Sequence, residues 1–117
     1  MKVQGKVWGA SYPLFNKNNV EISAISIKKG GFCSKHLHTT KYNMFVVNKG
    51  KLKVTIWKDY GSEVLEDVSF LFPGMETTVS PGDYHMFEAL EDTEALEIYW
   101  VELDANDIKR VNHGGMK

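Results

Sequence analysis

Cysteine is nearly absent from this chain. Cys33 is the only one in 117 residues, which excludes an intrachain disulfide and any zinc module built on several thiolates, and fits a reducing compartment. Long apolar runs are missing too. No window approaches the roughly 18 continuous apolar residues of a membrane span, and the opening MKVQGKVWGA lacks the apolar stretch of a signal peptide. The expected location is the cytoplasm, with no membrane partner. Nor does either sign of charge dominate: 14 basic and 15 acidic residues are interspersed, leaving a net charge of -1 and no block that would suit nucleic acid. Amphipathic helical periodicity is the last absence, which leaves little room for an α-helical fold.

What is present is ordinary globular material, 43% apolar and 25% charged. A chain of this length supports one well-buried core, so residues 1–117 read as a single domain. Short runs rich in Val, Ile, Phe, Tyr, Trp and Thr alternate with glycine and proline punctuation. Strands are expected over Val20 to Ile27, Asn43 to Val47, Lys51 to Trp57, Phe70 to Phe72, Thr77 to Ser80, Tyr84 to Leu90 and Ala95 to Leu103. The fold class is therefore all-β, a sandwich or barrel. Lys58 to Asp67 reads as a solvated loop or exposed hairpin. In the C-terminal segment, Asp104 or Asn106 could cap a single helical turn before Gly114-Gly115, so a short helix or an extended arm is expected there.

Chemistry enters at Gly30 to Gly50, GGFCSKHLHTTKYNMFVVNKG. His36 and His38 are separated by one residue and project from one face if they lie on a strand, forming a two-nitrogen chelate. Such a pair alone is weak evidence, because paired strand histidines are commonly plain surface residues. The surrounding spacing adds weight. Gly30 lies six positions before His36, Asn43 five after His38 and Gly50 seven after Asn43; further on, Ser80-Pro81-Gly82-Asp83-Tyr84-His85 supplies a turn and a third histidine.

These two segments resemble the two motifs of the cupin superfamily, with every element of the first met except a glutamate, whose place Asn43 takes. The resemblance implies a double-stranded β-helix, or jelly-roll, barrel. It also implies a divalent metal at its mouth on His36, His38 and His85, with Asn43 beside them as a fourth, neutral oxygen donor. Imidazole ligands suit zinc, manganese, iron or nickel without selecting among them. Val7-Trp8-Gly9, Val20 to Gly30, Glu76 through His85 and the ending Asn106-Asp107-Ile108-Lys109-Arg110 further resemble the cupin domain of type II mannose-6-phosphate isomerases. That family usually carries a basic residue after the second-motif histidine, where this chain has Met86.

The implied activity is metal-dependent isomerisation or epimerisation of a sugar phosphate or nucleotide sugar. Two alternatives stand beside it: a non-catalytic cupin that binds a small ligand such as a sugar, and a three-histidine metal dioxygenase. No catalytic residue is assigned. Tyr42 and Tyr84 neighbour ligand positions, and Lys35, Lys41 or Arg110 could meet a phosphate, but ordinary surface roles are preferred for all five. Parity places Phe45, Val47, Phe87 and Ala89 inside and Met44, Val46 and Met86 outside. Cys33 is expected to be a small buried hydrophobe facing away from His36, and His113 plain tail. A homodimer is the family expectation, with the strand containing Val3, Val7 and Trp8 as the element exchanged or packed between subunits, unless Trp8 caps its own barrel.

Overall fold

In the computed structural model, which describes residues 2–102 and 106–117, the alternating segments become nine strands. They are β1 (Gln4–Lys6), β2 (Gly9–Lys17), β3 (Val20–Ile27), β4 (Tyr42–Lys49), β5 (Leu52–Asp59), β6 (Val64–Leu71), β7 (Glu76–Val79), β8 (Tyr84–Ala89) and β9 (Thr93–Trp100). Six form one sheet in the order β1-β2-β3-β9-β4-β7, and three form a second in the order β6-β5-β8. All pairings are antiparallel. The last strand is thus inserted between β3 and β4, the crossed-over connectivity of a jelly roll rather than a meander.

Between the sheets, Ile25, Ile27, Phe45, Val47, Leu52, Val54, Ile56, Phe87 and Ala89 are each 4% exposed or less. Removing each large side chain from water contributes roughly 1.5–3 kcal/mol. These residues alternate along β3, β4, β5 and β8, so the period-2 pattern fixes which face of each strand points inward. Met44, Val46 and Met86 occupy the alternate positions and are only half-buried, although Met86 still packs against the core. The turn from β4 into β5 depends on Gly50 at φ 93°, where a Cβ would press on the Asp92 carbonyl and on Thr93.

Lys58 to Asp67 is a hairpin: β5 runs to Asp59, β6 starts at Val64, and Tyr60 N–H donates to the Glu63 carbonyl at 2.9 Å. Strand β2 is the main element that the sequence pattern does not give. Pro13 sits inside it, and the register with β3 slips between Pro13 and Phe15. A β-bulge is where a strand tolerates proline. Strand β1 pairs with β2 of its own chain, and Trp8 packs edge-on against Phe87 with ring centroids 5.2 Å apart. Trp8 therefore closes its own barrel. Residues 106–117 form no helix or strand and are exposed, so the arm is what this stretch shows. Asp104, one expected cap, and Leu103, the expected end of the last strand, lie outside the described residues; β9 ends at Trp100. No helix among the described residues is long and apolar enough to cross a membrane.

Candidate metal centre

Main-chain bonds bring the three histidines together before any side chain is considered. His36 N–H donates to the His85 carbonyl at 3.1 Å and His85 N–H returns to the His36 carbonyl at 2.8 Å, a single antiparallel bridge outside the regular strands. Gly82 N–H donates to the His38 carbonyl at 2.8 Å, tying the turn before β8 to the first pair. That turn needs Gly82 at φ 89°. His85 stands on β8, opposite Ile56 of β5. His36 and His38 do not lie on a strand, contrary to the condition under which their spacing makes a chelate. An irregular segment anchored at both residues gives the same convergence.

The rings form a near-equilateral triangle. Their centroids lie 4.5 Å apart for His36–His85, 5.0 Å for His36–His38 and 5.3 Å for His38–His85. One ligand nitrogen from each lies within 4.8 Å of the other two. His36 Nδ1 is 2.7 Å from the Ser34 carbonyl, and His85 Nδ1 is 3.1 Å from the Asp83 carbonyl. A carbonyl only accepts, so both Nδ1 atoms carry the proton and both Nε2 lone pairs are free. This outer hydrogen bond is the usual way a metal-binding imidazole is oriented.

Buried polar atoms without partners mark the same spot. His38 Nε2, His85 Nε2 and both side-chain atoms of Asn43 have no hydrogen bond, although Asn43 is only 1% exposed. Orphaned groups this concentrated call for an ion or water. The donor set fits a divalent cation with open coordination positions.

Burial, then the charge of Lys41 and the neighbouring His85 and His36, pushes His38 down to about 4. Burial also lowers His85, partly offset by the Asp83 carbonyl. Both rings are therefore neutral at pH 7, as ligation requires. The unfolded chain takes up protons at the ordinary histidine value of 6.5, before folded His38 does near 4. The stability contributed by these neutral rings is thus complete above pH 6.5 and lost as pH falls through that window. Urea midpoints of metal-free protein should fall over this interval, and fall less in a His38→Gln variant.

The triangle adjoins a cavity of about 510 Å³ whose wall includes His36, Trp8, Lys41, Glu97 and Tyr99. Glu97 and Tyr99 are functional candidates that the sequence reading did not single out. They face inward because β9 pairs Phe45 with Glu97 and Asn43 with Tyr99. Tyr99 donates its hydroxyl to Glu97 Oε2 at 2.9 Å and sets its ring edge-on to His38, centroids 5.2 Å apart. Burial pushes the Glu97 carboxyl above the usual range. The Tyr99 hydroxyl and the Asn43 amide, close by but outside hydrogen-bond geometry, hold part of that rise back. The missed signal was a charged residue at an inward position of a strand whose Ala95 is core.

Of the other candidates, Lys41 and Cys33 reach the cavity and the rest go elsewhere. Tyr42 stacks on Trp100 outside the barrel, and Tyr84 is exposed. Lys35 Nζ lies 3.9 Å from the Trp57 ring centroid, while Lys41 Nζ lies 4.1 Å from that of Tyr99 at the cavity. Arg110 and His113 are exposed in the arm. Cys33 is buried, as expected, but it does not face away from His36: both residues line the same cavity, and no regular strand reaches Cys33 to impose alternation. Its Sγ accepts from Phe87 N–H at 3.2 Å, and burial raises the thiol to about 11. It is not a nucleophile in this environment.

A family model described as Cupin matches residues 6–116. Among solved structures, KdgF from Halomonas sp. is similar at a TM-score of 0.72 and 15% identity, covering 88% of this chain and 90% of that one. The Cnp3 cupin domain of Schizosaccharomyces pombe aligns at 0.69 and 12% identity, covering 87% and 69%. The capsular polysaccharide assembling protein CapF of Staphylococcus aureus aligns at 0.68 and 22% identity, covering 91% of this chain but 30% of its own. A search of curated proteins finds no match. At these identities the structural likeness establishes the shared barrel.

Proposed function

The chain belongs to the cupin family, and from that premise we propose that it is a divalent-metal enzyme isomerising or epimerising a small hydroxy-carbonyl compound of the sugar or sugar-phosphate class. The observation that carries the reading is the convergence of three oriented imidazoles beside a cavity that also holds an inward acid and phenol. His36, His38 and His85 would hold the ion, with the Asn43 amide oxygen as a fourth donor. A bound cation supplies Lewis acidity toward a carbonyl oxygen.

The remaining steps belong to the chain's own residues. Glu97, on the cavity wall, accepts a proton from the carbon that bears the hydroxyl next to the carbonyl and returns it either to the former carbonyl carbon, while the hydroxyl proton passes between the two adjacent oxygens, or to the other face of the same carbon. Tyr99 holds the Glu97 carboxylate through its hydroxyl, fixing the oxygen that faces the substrate. Trp8 closes one side against water, and Lys6 and Lys41 offer positive charge to a phosphate. Resemblance to the type II mannose-6-phosphate isomerase domain agrees with this class of substrate.

One observation favours a second reading. Asn43 compensates none of a cation's charge where the cupin pattern has a carboxylate, which suits a non-catalytic cupin that binds the same ligands. The two separate in deuterated water. With protein loaded with zinc, manganese, iron or nickel and a panel of aldose and ketose phosphates, catalysis should place deuterium at C1 or C2, read by proton NMR, and Glu97→Gln should abolish it. Ligand binding without any exchange would leave the binding reading in its place.

A further inference from the structure

The inward row of β3 changes character along its length. Ile27 and Ile25 belong to the core, whereas Ser23 and Glu21, nearer the mouth, line the cavity. The registers carry this polar half across the sheet: Ser23 pairs with Glu97, Glu21 with Tyr99, and Tyr99 in turn with Asn43. Ser11 of β2, buried like Ser23, joins them on the cavity wall, while Trp8 and Phe87 give the same cavity an apolar side. A polar wall beside an aromatic one suits a ligand whose edge carries hydroxyls and whose faces carry C–H groups, the chemistry of a sugar ring.

The polar wall does not stop at the cavity. Glu21, Lys41 and Tyr99 also line a second hollow, of about 120 Å³, whose other side is Asn16, Asn18, Asn19 and Trp100. Three amides gather there because the β2–β3 hairpin reverses on Asn18-Asn19, between the paired Lys17 and Val20, with Asn18 at φ 49°. Asparagine tolerates that left-handed conformation better than other side chains do. Glu21 makes no ion pair and no side-chain hydrogen bond among the described residues, so its carboxylate is open to a ligand from both spaces.

On the basis of the sugar-directed function above, we propose that this hollow is a subsite for a second sugar unit. The ligand is then at least a disaccharide, its reducing unit beside the metal centre and its next, uncharged unit held by the hairpin amides and Glu21. Asparagine amides donate and accept, as hydroxyls do. Trp100, stacked on Tyr42 with ring planes 10° apart, adds a braced aromatic surface. Charge selects the same occupant. A phosphate in the hollow would meet the Glu21 carboxylate beside its one cationic wall residue, Lys41, with no arginine fork to grip it. Because Glu21 lines both spaces, it stands where the glycosidic link passes and accepts hydroxyls from either unit.

NMR titration of the isotopically labelled, zinc-loaded full chain tests this with glucose, galactose, mannose, mannose 6-phosphate and the reducing disaccharides cellobiose, maltose and lactose. The best disaccharide should bind about tenfold more tightly than the best monosaccharide, the worth of one or two net hydrogen bonds. Only disaccharides should shift the backbone amide signals of Asn16, Asn18 and Asn19. Asn16→Ala combined with Asn18→Gly, which spares the metal cavity and suits the left-handed turn, should remove that advantage and leave monosaccharide affinity unchanged. A wild type that binds some monosaccharide as tightly as every disaccharide, or mannose 6-phosphate more tightly than any of them, overturns the extended ligand while the function proposed for the metal centre stands. A disaccharide preference that survives the hairpin variant overturns the subsite, and a protein that binds none of these sugars overturns both readings.

Discussion

Replacing His85 with alanine is expected to cut divalent-metal affinity by at least about a hundredfold while leaving the barrel folded. Loss of an outer-shell partner alone typically costs 10- to 100-fold, so removing a ligand sets that as a floor. The fold should survive because what joins β8 to the His36 segment is main chain: both bonds between His36 and His85 use backbone N–H and carbonyl groups. Only the imidazole, its Nδ1 bond to the Asp83 carbonyl and its free Nε2 are lost. Titration calorimetry with zinc, manganese and nickel on wild type and variant measures the effect directly. A His85→Ala protein that still takes up metal with unchanged affinity would move the centre away from the histidine triangle.

Phe45→Ala should be the most destabilising simple core truncation, costing about 3–5 kcal/mol in urea unfolding. Phe45 is 1% exposed and sits edge-on to Phe87, centroids 5.7 Å apart, which in turn meets Trp8. A chain of three aromatic rings thus runs from the cavity lip into the core. Losing its inner member opens a void beneath Glu97, its register partner on β9. Phe45→Leu keeps most of the volume and should cost less than about 1.5 kcal/mol. If both variants unfold together with wild type, the core is not packed around this ring.

Where the sequence could be read and where it could not follows from physical differences between segments. β3 was legible at both ends because Val20 to Ile27 is a short run rich in β-branched residues that stops at a Lys-Lys-Gly-Gly turn, although its apolar residues change face between Ala24 and Ile25. The inward set Phe45, Val47, Phe87 and Ala89 followed from parity, because each strand has one face in a single core. β2 was hidden by Pro13, which reads as a strand breaker until its bulge is seen. The first half of β6 was hidden by its exposure: Val64 to Val68 is solvated, so its pattern carries no burial signal. The candidate metal residues stood out because each of the two segments that carry them, His36 to Asn43 and Pro81 to His85, has a short motif of its own, whereas Glu97 and Tyr99 sit in no motif and join them only through the β4–β9 pairing. That pairing links residues more than fifty positions apart, and no short motif records it. Cys33 shows the limit of parity, which says nothing where the chain leaves the strand.

The bridge between His36 and His85 has one more implication. Because peptide groups close it, the frame around the three imidazoles is indifferent to what those side chains are. Exchanging one ligand for another changes the chemistry at the mouth and leaves the architecture standing. Asn43, buried on β4 beside the three histidines with its amide unpartnered, is an obvious position at which to try such an exchange. A barrel wired in this way lets descendants trade one reaction for another, or for mere binding, in single steps that natural selection can test without first risking the fold.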